Sequence, residues 1–391
     1  MIEASRVGAS HARLSCGMVG GGEGAFIGDV HRKALAFDNK AHLVAGCFSR
    51  SHKNTLATGA NLGIAADRLY ATYEEMASKE SGREDKIDFV VIVTPNNLHY
   101  PVAKAFLEAG INVVCDKPLV LSSRQADDLA QIVEANDLLF CVTYTYNGYP
   151  MVKHAKSMVE KGEIGDIRFV SAEYAQDWLA TPAESGNNKQ AAWRTDPSQT
   201  GIANCVGDIG SHTENIVSYI TGLEITSVCA RLDTFVSGRT LDDNATIMVN
   251  YSGGAKGMYW TSQIAVGHDN DLRVRIFGTK GSIEWVQENP NYLTVSYLDR
   301  PTMTLSRGRD AMSPHAASFS RIPGGHPEGY PEAFANIYKS FCSALAKKKA
   351  GERPTPEDLD YPKLAAGAAG VRFIERCVES SKHGAVWVDF D

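Results

Sequence analysis

Short, almost wholly apolar stretches alternate with helical patterns between Leu14 and Thr143. Strands that are covered on both faces have such continuous apolar runs, and βαβ units build parallel sheets from them. The pattern predicts strands at 14–19, 42–48, 88–93, 112–116 and 138–143. It predicts helices at about 27–38, 51–61, 99–109 and 122–136, the last with Ser122 or Ser123 as its N-cap. The first part of the chain is therefore expected to be an α/β domain.

The periodicity changes beyond Pro150. After a predicted helix at about 151–161, apolar and polar residues alternate, as in strands with one wet face. These stretches are 168–178, 245–252, 256–265, 272–278 and 282–286, with tight turns at 252–254 and 278–281. The segment 301–331 is interpreted as a long loop, followed by helices at about 330–349 and 362–381 and an apolar stretch at 385–390. We expect two domains, 1–147 and 148–391, the second with an open, mostly antiparallel sheet.

Composition narrows the class of protein. The formal net charge of −7 and the lack of a long basic block argue against a nucleic-acid partner. The eight cysteines show no CxxC pair and no metal-ligand spacing, so we expect no metal site and buried, reduced thiols. No apolar stretch approaches the roughly 18 residues of a membrane span. No apolar region follows Arg6 or Arg13 before the first strand, so no secretory signal is predicted. A cytoplasmic protein is expected.

A glycine cluster, Gly20 to Gly28, follows the first predicted strand and leads into a helix. Glycines at such a place allow a tight turn and let backbone amides approach a pyrophosphate at the helix N-terminus. A plain flexible turn is the alternative, because three extra residues separate the first glycines from Phe26 and Ile27. If the loop binds a dinucleotide, the expected contacts are Gly20, Gly22, Phe26 and Ile27.

The ends of the next strands carry further candidate cofactor contacts. A typical NAD site has a carboxylate at the end of the second strand, but Ser49 and Arg50 stand here, which suit a 2′-phosphate. NAD and NADP both stay open. The third strand ends at a switch point where ligands bind, and its candidates are Thr94, Pro95, Asn96 and His99. Asn96 is equally suited to cap the following helix.

Two separate motifs carry candidate catalytic groups. Asp116 and Lys117 end the fourth strand and are both candidate cofactor contacts, and Lys117 is also a catalytic candidate because a lysine there can polarise or protonate a reacting oxygen. Asp208 and His212 open a later helix and, four residues apart, share one helical face. An imidazole near a carboxylate is a workable general base. The ordinary alternative for Asp208 is a helix cap.

Taken in order, these motifs resemble the Gfo/Idh/MocA oxidoreductase family over nearly the whole chain. The landmarks are the glycine loop, Thr94-Pro95-Asn96 with His99, Asp116-Lys117-Pro118 where the family usually has Glu-Lys-Pro, and Asp208 with His212. The resemblance implies an N-terminal Rossmann domain and a C-terminal α/β domain whose sheet often mediates oligomers. It also implies hydride transfer to nicotinamide, with Lys117 polarising the substrate oxygen, His212 taking its proton and Asp208 orienting His212 or holding another hydroxyl.

The substrate contacts are expected near Lys117 and in the second domain. Tryptophan faces stack on sugar C–H surfaces while polar side chains bind hydroxyls. The candidates beside Lys117, Asp208 and His212 are Tyr146, Gln176, Trp178, Trp193 and Arg194, with 326–330 bordering the site. For Trp178 and Trp193, a place in the core or an interface is as good an interpretation. Similar segments occur in family members that act on pyranoses, so we expect a sugar, glycoside or cyclitol substrate.

Two alternative functions stay open at this stage. Some relatives hydrolyse or epimerise glycosides by transient oxidation and recycle the nicotinamide without net reduction. A non-catalytic NAD(P)-binding regulator is the other alternative, although Lys117, Asp208 and His212 are all present. We expect a homodimer or homotetramer formed through the C-terminal sheet.

Overall fold

The computed structural model describes residues 13–186 and 188–390 of the chain. The expectation that no secretory signal is present concerns residues 1–13, nearly all of which lie outside these ranges. None of the helices within the ranges combines the length and the apolarity that crossing a bilayer requires. The eight cysteines all lie within them, and each is buried with a free thiol, as the sequence predicts.

A parallel sheet forms the first part of the structure, as the apolar pattern predicts. Its strands are β1 (Leu14–Gly20), β2 (Ala41–Cys47), β3 (Phe89–Val93), β4 (Asn112–Cys115) and β5 (Phe140–Val142). The helices that connect these strands are α1 (Phe26–Phe37), α2 (His52–Asn61), α3 (Tyr73–Ser81), α4 (His99–Glu108) and α5 (Ser123–Ala135). Every residue of β3 is buried, because helices cover both faces of the sheet. The Ser122 side chain caps α5 by accepting the N–H of Gln125, as expected.

The strands lie in the order β2-β1-β3-β4-β5, and every neighbouring pair is parallel. The chain therefore passes outward from β1 to β2 and returns to β3 on the other side of β1. Ligands of open α/β sheets bind at the carboxyl ends of the strands at such a switch point. Gly20 at the end of β1 is in register with Val93 at the end of β3. The loops after these two strands form the walls of one crevice.

The second sheet is mostly antiparallel, as predicted. Its strands are β6 (Ile167–Ala175), β7 (Ile225–Asp233), β8 (Asn244–Tyr251), β9 (Lys256–Ser262), β10 (Asp271–Gly278), β11 (Gly281–Val286), β12 (Tyr292–Tyr297), β13 (Met303–Ser306) and β14 (Trp387–Asp389). They lie in the order β13-β12-β11-β10-β6-β9-β8-β7-β14, and the neighbours β6 and β9 are parallel. Burial alternates along β8 and β9, so one face is covered and the other is open.

The remaining helices cover the second sheet or return to the first. They are α6 (Pro150–Glu160), α7 (Lys189–Arg194), α8 (Pro197–Thr200), α9 (Ser211–Thr221), α10 (Pro314–Ala317), α11 (Tyr330–Lys349) and α12 (Leu364–Lys382). Helix α11 packs on the first sheet, where Phe334 and Phe341 share a buried cluster with Phe89. Tyr330 and Phe334, near the start of α11, reach the crevice. A late part of the sequence thus completes the surroundings of the nucleotide loop.

The segment 301–331 is more structured than the long loop that the sequence predicts. It contains β13 and α10, and it is organised around the buried guanidinium of Arg307. Arg307 donates to Asn291 Oδ1 at 2.6 Å, and to Ile322 O and Glu328 Oε1 at 2.9 Å each. A buried charge is stable only when it is paired and hydrogen-bonded in this way. Such polar organisation leaves no hydrophobic period in the sequence, which is why the pattern indicated a loop.

Candidate active site

The glycine-rich loop between β1 and α1 has a backbone that requires glycine. Gly20 and Gly21 have φ angles of +85° and +73°, in the region that side chains other than hydrogen disfavour. A Cβ atom on Gly21 would lie 2.9 Å from the Cα atom of Gly28. The N–H of Gly22 donates to Phe48 O at 3.1 Å and fixes the loop against the end of β2. Gly28 thus provides the close contact between loop and helix that the third glycine of a dinucleotide motif makes.

A cleft of about 1400 Å³ extends from this loop to the second sheet, and its walls suit a dinucleotide. Helix α1 begins without a side-chain cap, so its first N–H groups are free to bind phosphate. Thr94 Oγ1 is buried on the cleft wall and has no hydrogen-bond partner among the described residues. Buried polar atoms without partners are rare, and a cofactor bound in the cleft would give this hydroxyl a partner. The cleft is also lined by the expected contacts Gly20, Gly22, Phe26 and Ile27.

The end of β2 forms the expected adenosine side of the cleft. Ser49 and Arg50 both line it. The Ser49 hydroxyl accepts the N–H of Ser51 at 3.1 Å, and Arg50 is exposed. Asn54 and Glu74 line the same region, and sequence reasoning did not identify either of them. The absence of a carboxylate directly after β2 keeps both NAD and NADP open.

The residues after β3 divide into two groups. Of the predicted contacts, Thr94, Pro95 and Asn96 line the cleft. The Asn96 amide donates to Thr200 O at 3.2 Å and so connects the strand end to α8. His99 is buried behind the wall, with one ring nitrogen 2.8 Å from Pro118 O and the other 3.0 Å from Thr94 O. It holds the two loops together and, contrary to the sequence expectation, it does not reach the cleft surface.

Asp116, which directly follows β4, is held by two side chains, Thr143 and His31. The Thr143 hydroxyl donates to Asp116 Oδ1 at 2.6 Å, and His31 Nε2 lies 3.7 Å from the same oxygen. His31 Nδ1 is in turn 2.6 Å from the hydroxyl of Tyr338 on α11. Burial alone would raise the pKa of Asp116, but His31 and Thr143 lower it to about 2. Asp116, which is one methylene shorter than the glutamate usual in the family that the motifs resemble, is therefore a carboxylate held in a fixed position beside the cleft.

Lys117 and Asp208 form an ion pair on the wall of the cleft. Lys117 Nζ donates to the backbone oxygen and to Oδ1 of Asp208, at 2.7 Å each. The other carboxylate oxygen of Asp208 accepts from Arg194 Nε at 3.1 Å and from Gln263 Nε2 at 2.9 Å. Burial alone would raise the pKa of Asp208, but the Arg194 and Lys117 cations outweigh it and hold that pKa below its usual value. Asp208 is thus a permanent anion between two cations.

The segment that carries Asp208 is a π-helical turn, Val206–Gly210, in front of α9. The buried carboxylate of Asp242 caps its start by accepting the N–H groups of Asn204 at 2.7 Å and Val206 at 2.8 Å. Such wide turns are frequent at functional sites. Asp208 and His212 therefore do not have the spacing of a regular α-helix, and in the described structure no hydrogen bond joins them. The Asp208 carboxylate is directed to Lys117 and Arg194 instead.

His212 is buried at the start of α9 and lines the cleft. Its ring lies among tyrosines, with ring centroids 4.7 Å from Tyr146 and 5.6 Å from Tyr144. Burial and the Lys117 charge lower the pKa of His212 well below its usual value, although Asp208 opposes them. The imidazole is therefore neutral near pH 7 and can accept a proton.

A chain of hydrogen-bonded side chains forms another part of the cleft wall. The hydroxyls of Tyr146 and Tyr174 are bonded to each other, and Tyr174 donates to Asn270 Oδ1 at 2.7 Å. The same oxygen accepts from Gln176 Nε2 at 2.6 Å, and Gln176 Oε1 accepts from Trp178 Nε1 at 3.0 Å. All five residues line the cleft. Such a fixed series of polar groups is suited to a ligand with several hydroxyls.

Arg194 connects the two predicted tryptophans to Asp208. Its guanidinium lies 4.2 Å from the ring centroid of Trp193 and 5.6 Å from that of Trp178. It also donates to Gln190 Oε1 at 2.7 Å and, as described, to Asp208. Trp178, Trp193 and Arg194 all line the cleft, as the sequence predicts. Asn270, Gln190 and Gln263 were not predicted, because isolated amides in a sequence have no recognisable motif.

Comparison with known proteins identifies the family. Residues 14–144 match the oxidoreductase family with an NAD-binding Rossmann fold, and residues 152–284 match the GFO/IDH/MocA C-terminal domain. The uncharacterised oxidoreductase YfiI of Bacillus subtilis is 37% identical over 96% of this chain and 97% of its own length. Levoglucosan dehydrogenase of Pseudarthrobacter phenanthrenivorans is 29% identical over 73% of this chain and 76% of its own length.

Solved structures agree with this assignment. An inositol dehydrogenase homologue from Azotobacter vinelandii in complex with NAD⁺ is 35% identical, with a TM-score of 0.92 over 96% of this chain and 97% of that chain. The complex of that homologue with NADH and myo-inositol gives a TM-score of 0.89. The chain belongs to the Gfo/Idh/MocA family, as its motifs indicate. It is an NAD(P)-dependent oxidoreductase with a Rossmann domain and a C-terminal, mostly antiparallel α/β domain.

Proposed function

We propose that this protein is a dehydrogenase that oxidises a ring secondary hydroxyl of a sugar, glycoside or cyclitol. The observation that carries the proposal is the meeting of Lys117, Asp208 and His212 in the cleft that begins at the glycine loop. The chain of polar side chains from Tyr146 to Trp178 in the same cleft supports a substrate with several hydroxyls. The relatives named levoglucosan dehydrogenase and inositol dehydrogenase homologue support a cyclic polyol.

The proposed reaction follows from the hydrogen bonds of Lys117. An ammonium group has three N–H donors, and the two bonds to Asp208 leave one for the substrate oxygen. This bond polarises the oxygen and fixes its position. When bound, NAD(P)⁺ supplies the hydride acceptor. The substrate carbon loses a hydride, its hydroxyl loses a proton to the neutral His212, and a carbonyl group forms.

The remaining cleft residues are proposed to hold the ring. Tyr146, Gln176 and Asn270 present hydroxyl and amide groups to the ring hydroxyls, while Trp178 offers an aromatic face. Arg194 is proposed to keep Asp208 in place and to bind a further hydroxyl. Because the cofactor and the substrate share one cleft, Gly20, Gly22 and the residues after β2 and β3 are proposed to hold the dinucleotide.

The test is NADH or NADPH formation with a panel of sugars, glycosides and inositols. Replacing Lys117→Met or His212→Asn should lower kcat at least about 100-fold, the usual contribution of a positioned acid or base. Cofactor binding, followed by NADH fluorescence, should stay nearly unchanged. Lys256→Met, at an exposed lysine of β9, is the matched control and should keep full activity. Wild-type turnover in both active-site variants would refute the proposed roles.

The same experiment separates the two alternative functions. Conversion of a glycoside without net NADH formation, by protein that carries bound NAD(H), would indicate a cofactor-recycling hydrolase or epimerase. Binding of cofactor and sugar without any turnover would indicate a regulator. Net NADH formation from a sugar, abolished in Lys117→Met, supports the dehydrogenase over both.

A further inference from the structure

A second cavity adjoins the cleft, and we refer to it as the annex. Its volume is about 570 Å³, within the range of small-molecule sites. It lies between the residues that follow β11 and the segment that precedes α11. Gln287 and Tyr330 line both the annex and the cleft, so the two spaces are neighbours with a shared wall. The catalytic groups described above do not line the annex.

The annex wall contains buried polar atoms that lack hydrogen bonds. Tyr149 is 2% exposed and Glu328 is 4% exposed, and both line the annex. Within residues 13–186 and 188–390, the Tyr149 hydroxyl, Gln287 Oε1 and Glu328 Oε2 have no hydrogen-bond partner. Such atoms are costly unless something satisfies them. One donor-acceptor hydroxyl and two acceptor oxygens in one cavity match a ligand that offers several hydroxyls.

The annex lies one ring beyond the catalytic residues. Tyr149 stacks on Tyr146 with a centroid distance of 6.2 Å and nearly parallel planes, 8° apart. Tyr146 is in turn 4.7 Å from His212. The buried ring of Trp285 packs against Tyr149, with a centroid distance of 5.2 Å. Tyr146 thus contacts both His212 in the cleft and Tyr149 in the annex, so the two spaces are one ring apart.

The charge of the annex limits what this second ring can be. Glu328, Glu288 and Asp269 all line it. The nearby cation of Arg307 is already bonded to Glu328 Oε1 at 2.9 Å and is buried. Carboxylates repel a phosphate or an acidic sugar, whereas they accept hydrogen bonds from neutral hydroxyls. The annex thus suits an uncharged, polyhydroxylated group.

We propose that the annex binds the second ring of a neutral glycoside, so that the substrate class is a disaccharide or a glycoside with a hydroxylated aglycone rather than a free monosaccharide. This inference rests on the proposed function, since it places the oxidised ring in the cleft beside Lys117 and His212. The glycosidic oxygen then passes the shared wall at Gln287 and Tyr330.

The test is calorimetric titration of the NADH-bound protein with glucose and with the glucosyl disaccharides maltose, cellobiose and trehalose. At least one disaccharide should bind about tenfold more tightly than glucose. Tyr149→Phe removes one hydrogen bond and should reduce this advantage about fivefold. Asn289→Trp places a large side chain at the exposed rim of the annex and should remove the advantage. Tyr292→Phe, an exposed tyrosine of β12 that lines neither cavity, is the matched control.

Two results would overturn the inference: disaccharides that bind no more tightly than glucose, or an advantage that survives both annex substitutions. Because binding is measured without turnover, this outcome is separate from a failure of the proposed function. The proposed function would fail if a disaccharide bound through the annex but the protein formed neither NADH from NAD⁺ nor NADPH from NADP⁺. Asn289→Trp lies on the surface and keeps the test valid where Tyr149→Phe fails to fold.

Discussion

Lys117 owes its position to Asp208, whose backbone and side chain both accept from its ammonium group. Arg194 and Gln263 hold the second oxygen of the same carboxylate. Since the Arg194 and Lys117 cations hold the pKa of Asp208 low against the effect of burial, Asp208 stays charged. It therefore fixes Lys117 and Arg194 and is not suited to accept a proton. The proton acceptor that we propose is His212, which is neutral and lines the same cleft.

The pH dependence of oxidation should report this base. Burial and the Lys117 charge lower the pKa of His212 well below the usual histidine value of 6.5, so the neutral form persists as the pH falls through 6.5. We expect kcat for sugar oxidation to stay level down to that pH and to fall only at more acidic values. The measurement is kcat between pH 5 and pH 9 with saturating sugar and cofactor. An acid limb centred at or above pH 6.5 would contradict the assignment, and His212→Asn should lack the limb.

At the scale of elements, α9 carries a carboxyl group that the proposed chemistry does not use. Glu214 lies two residues after His212 and is 4% exposed. Its Oε2 atom is buried, and the described residues provide no hydrogen-bond partner for it. Burial raises the pKa of Glu214 to about 8. The folded protein therefore keeps this side chain protonated under conditions in which the unfolded chain ionises it.

This difference predicts that Glu214 destabilises the fold at high pH. Because its pKa is raised from 4.5 to about 8, the unfolded state alone loses the proton between these values, and stability falls as the pH rises through them. Glu214→Gln removes this loss. Its melting temperature should exceed that of the wild type by at least about 2 °C at pH 8 and by less at pH 5, measured by scanning calorimetry. Glu224→Gln, an exposed control after the same helix, should show no such trend; an equal effect at both pH values would exclude the explanation.

The elements themselves were predictable where packing imposes a period on the sequence. The apolar runs of the first sheet and the alternation in β8 gave the correct strands, because one or both faces must be buried. Helix α3 was missed, since few of its residues are buried and its sequence is mainly polar. The first turn of α3 nevertheless has a recognisable sequence pattern, a threonine followed three residues later by a glutamate. The Thr72 hydroxyl accepts the N–H of Glu75 there. Strand β7 was missed for a similar reason, because its buried centre is short.

At the scale of the whole molecule, the candidate site depends on contacts that no local pattern encodes. Gln263 bonds to Asp208 across 55 residues of sequence, and Gln176 bonds to Asn270 across 94. The motifs located Lys117 because it ends a strand, which fixes its place at the sheet edge. They placed His99 in the cleft wrongly, because sequence distance from the strand end does not reveal that its ring faces inward. The annex has no motif at all, since the topology of the second sheet and α11 creates it.

The open face of the second sheet carries exposed apolar side chains that the proposed site does not use. Met248 and Met258 are in register on neighbouring strands, as are Phe169 and Phe277. These four side chains are between 38% and 47% exposed. They lie on the adjacent strands β8, β9, β6 and β10, so they form one apolar surface. Contiguous apolar surfaces of this kind mark interaction sites.

We propose that this face joins identical chains into a dimer or a tetramer, since most homo-oligomers pair a patch with its own copy about a two-fold axis. Met248→Asp combined with Met258→Asp places two like charges on each side of the contact and should lower the mass found by light scattering to that of one chain. The substitutions lie on the face away from the cleft, so the dissociated protein should still bind NADH. Leu298→Asp, at a turn residue that is 91% exposed, is the matched control and should leave the oligomer intact. A wild-type protein that is already monomeric, or an oligomer that survives the double substitution, would exclude this face as the interface.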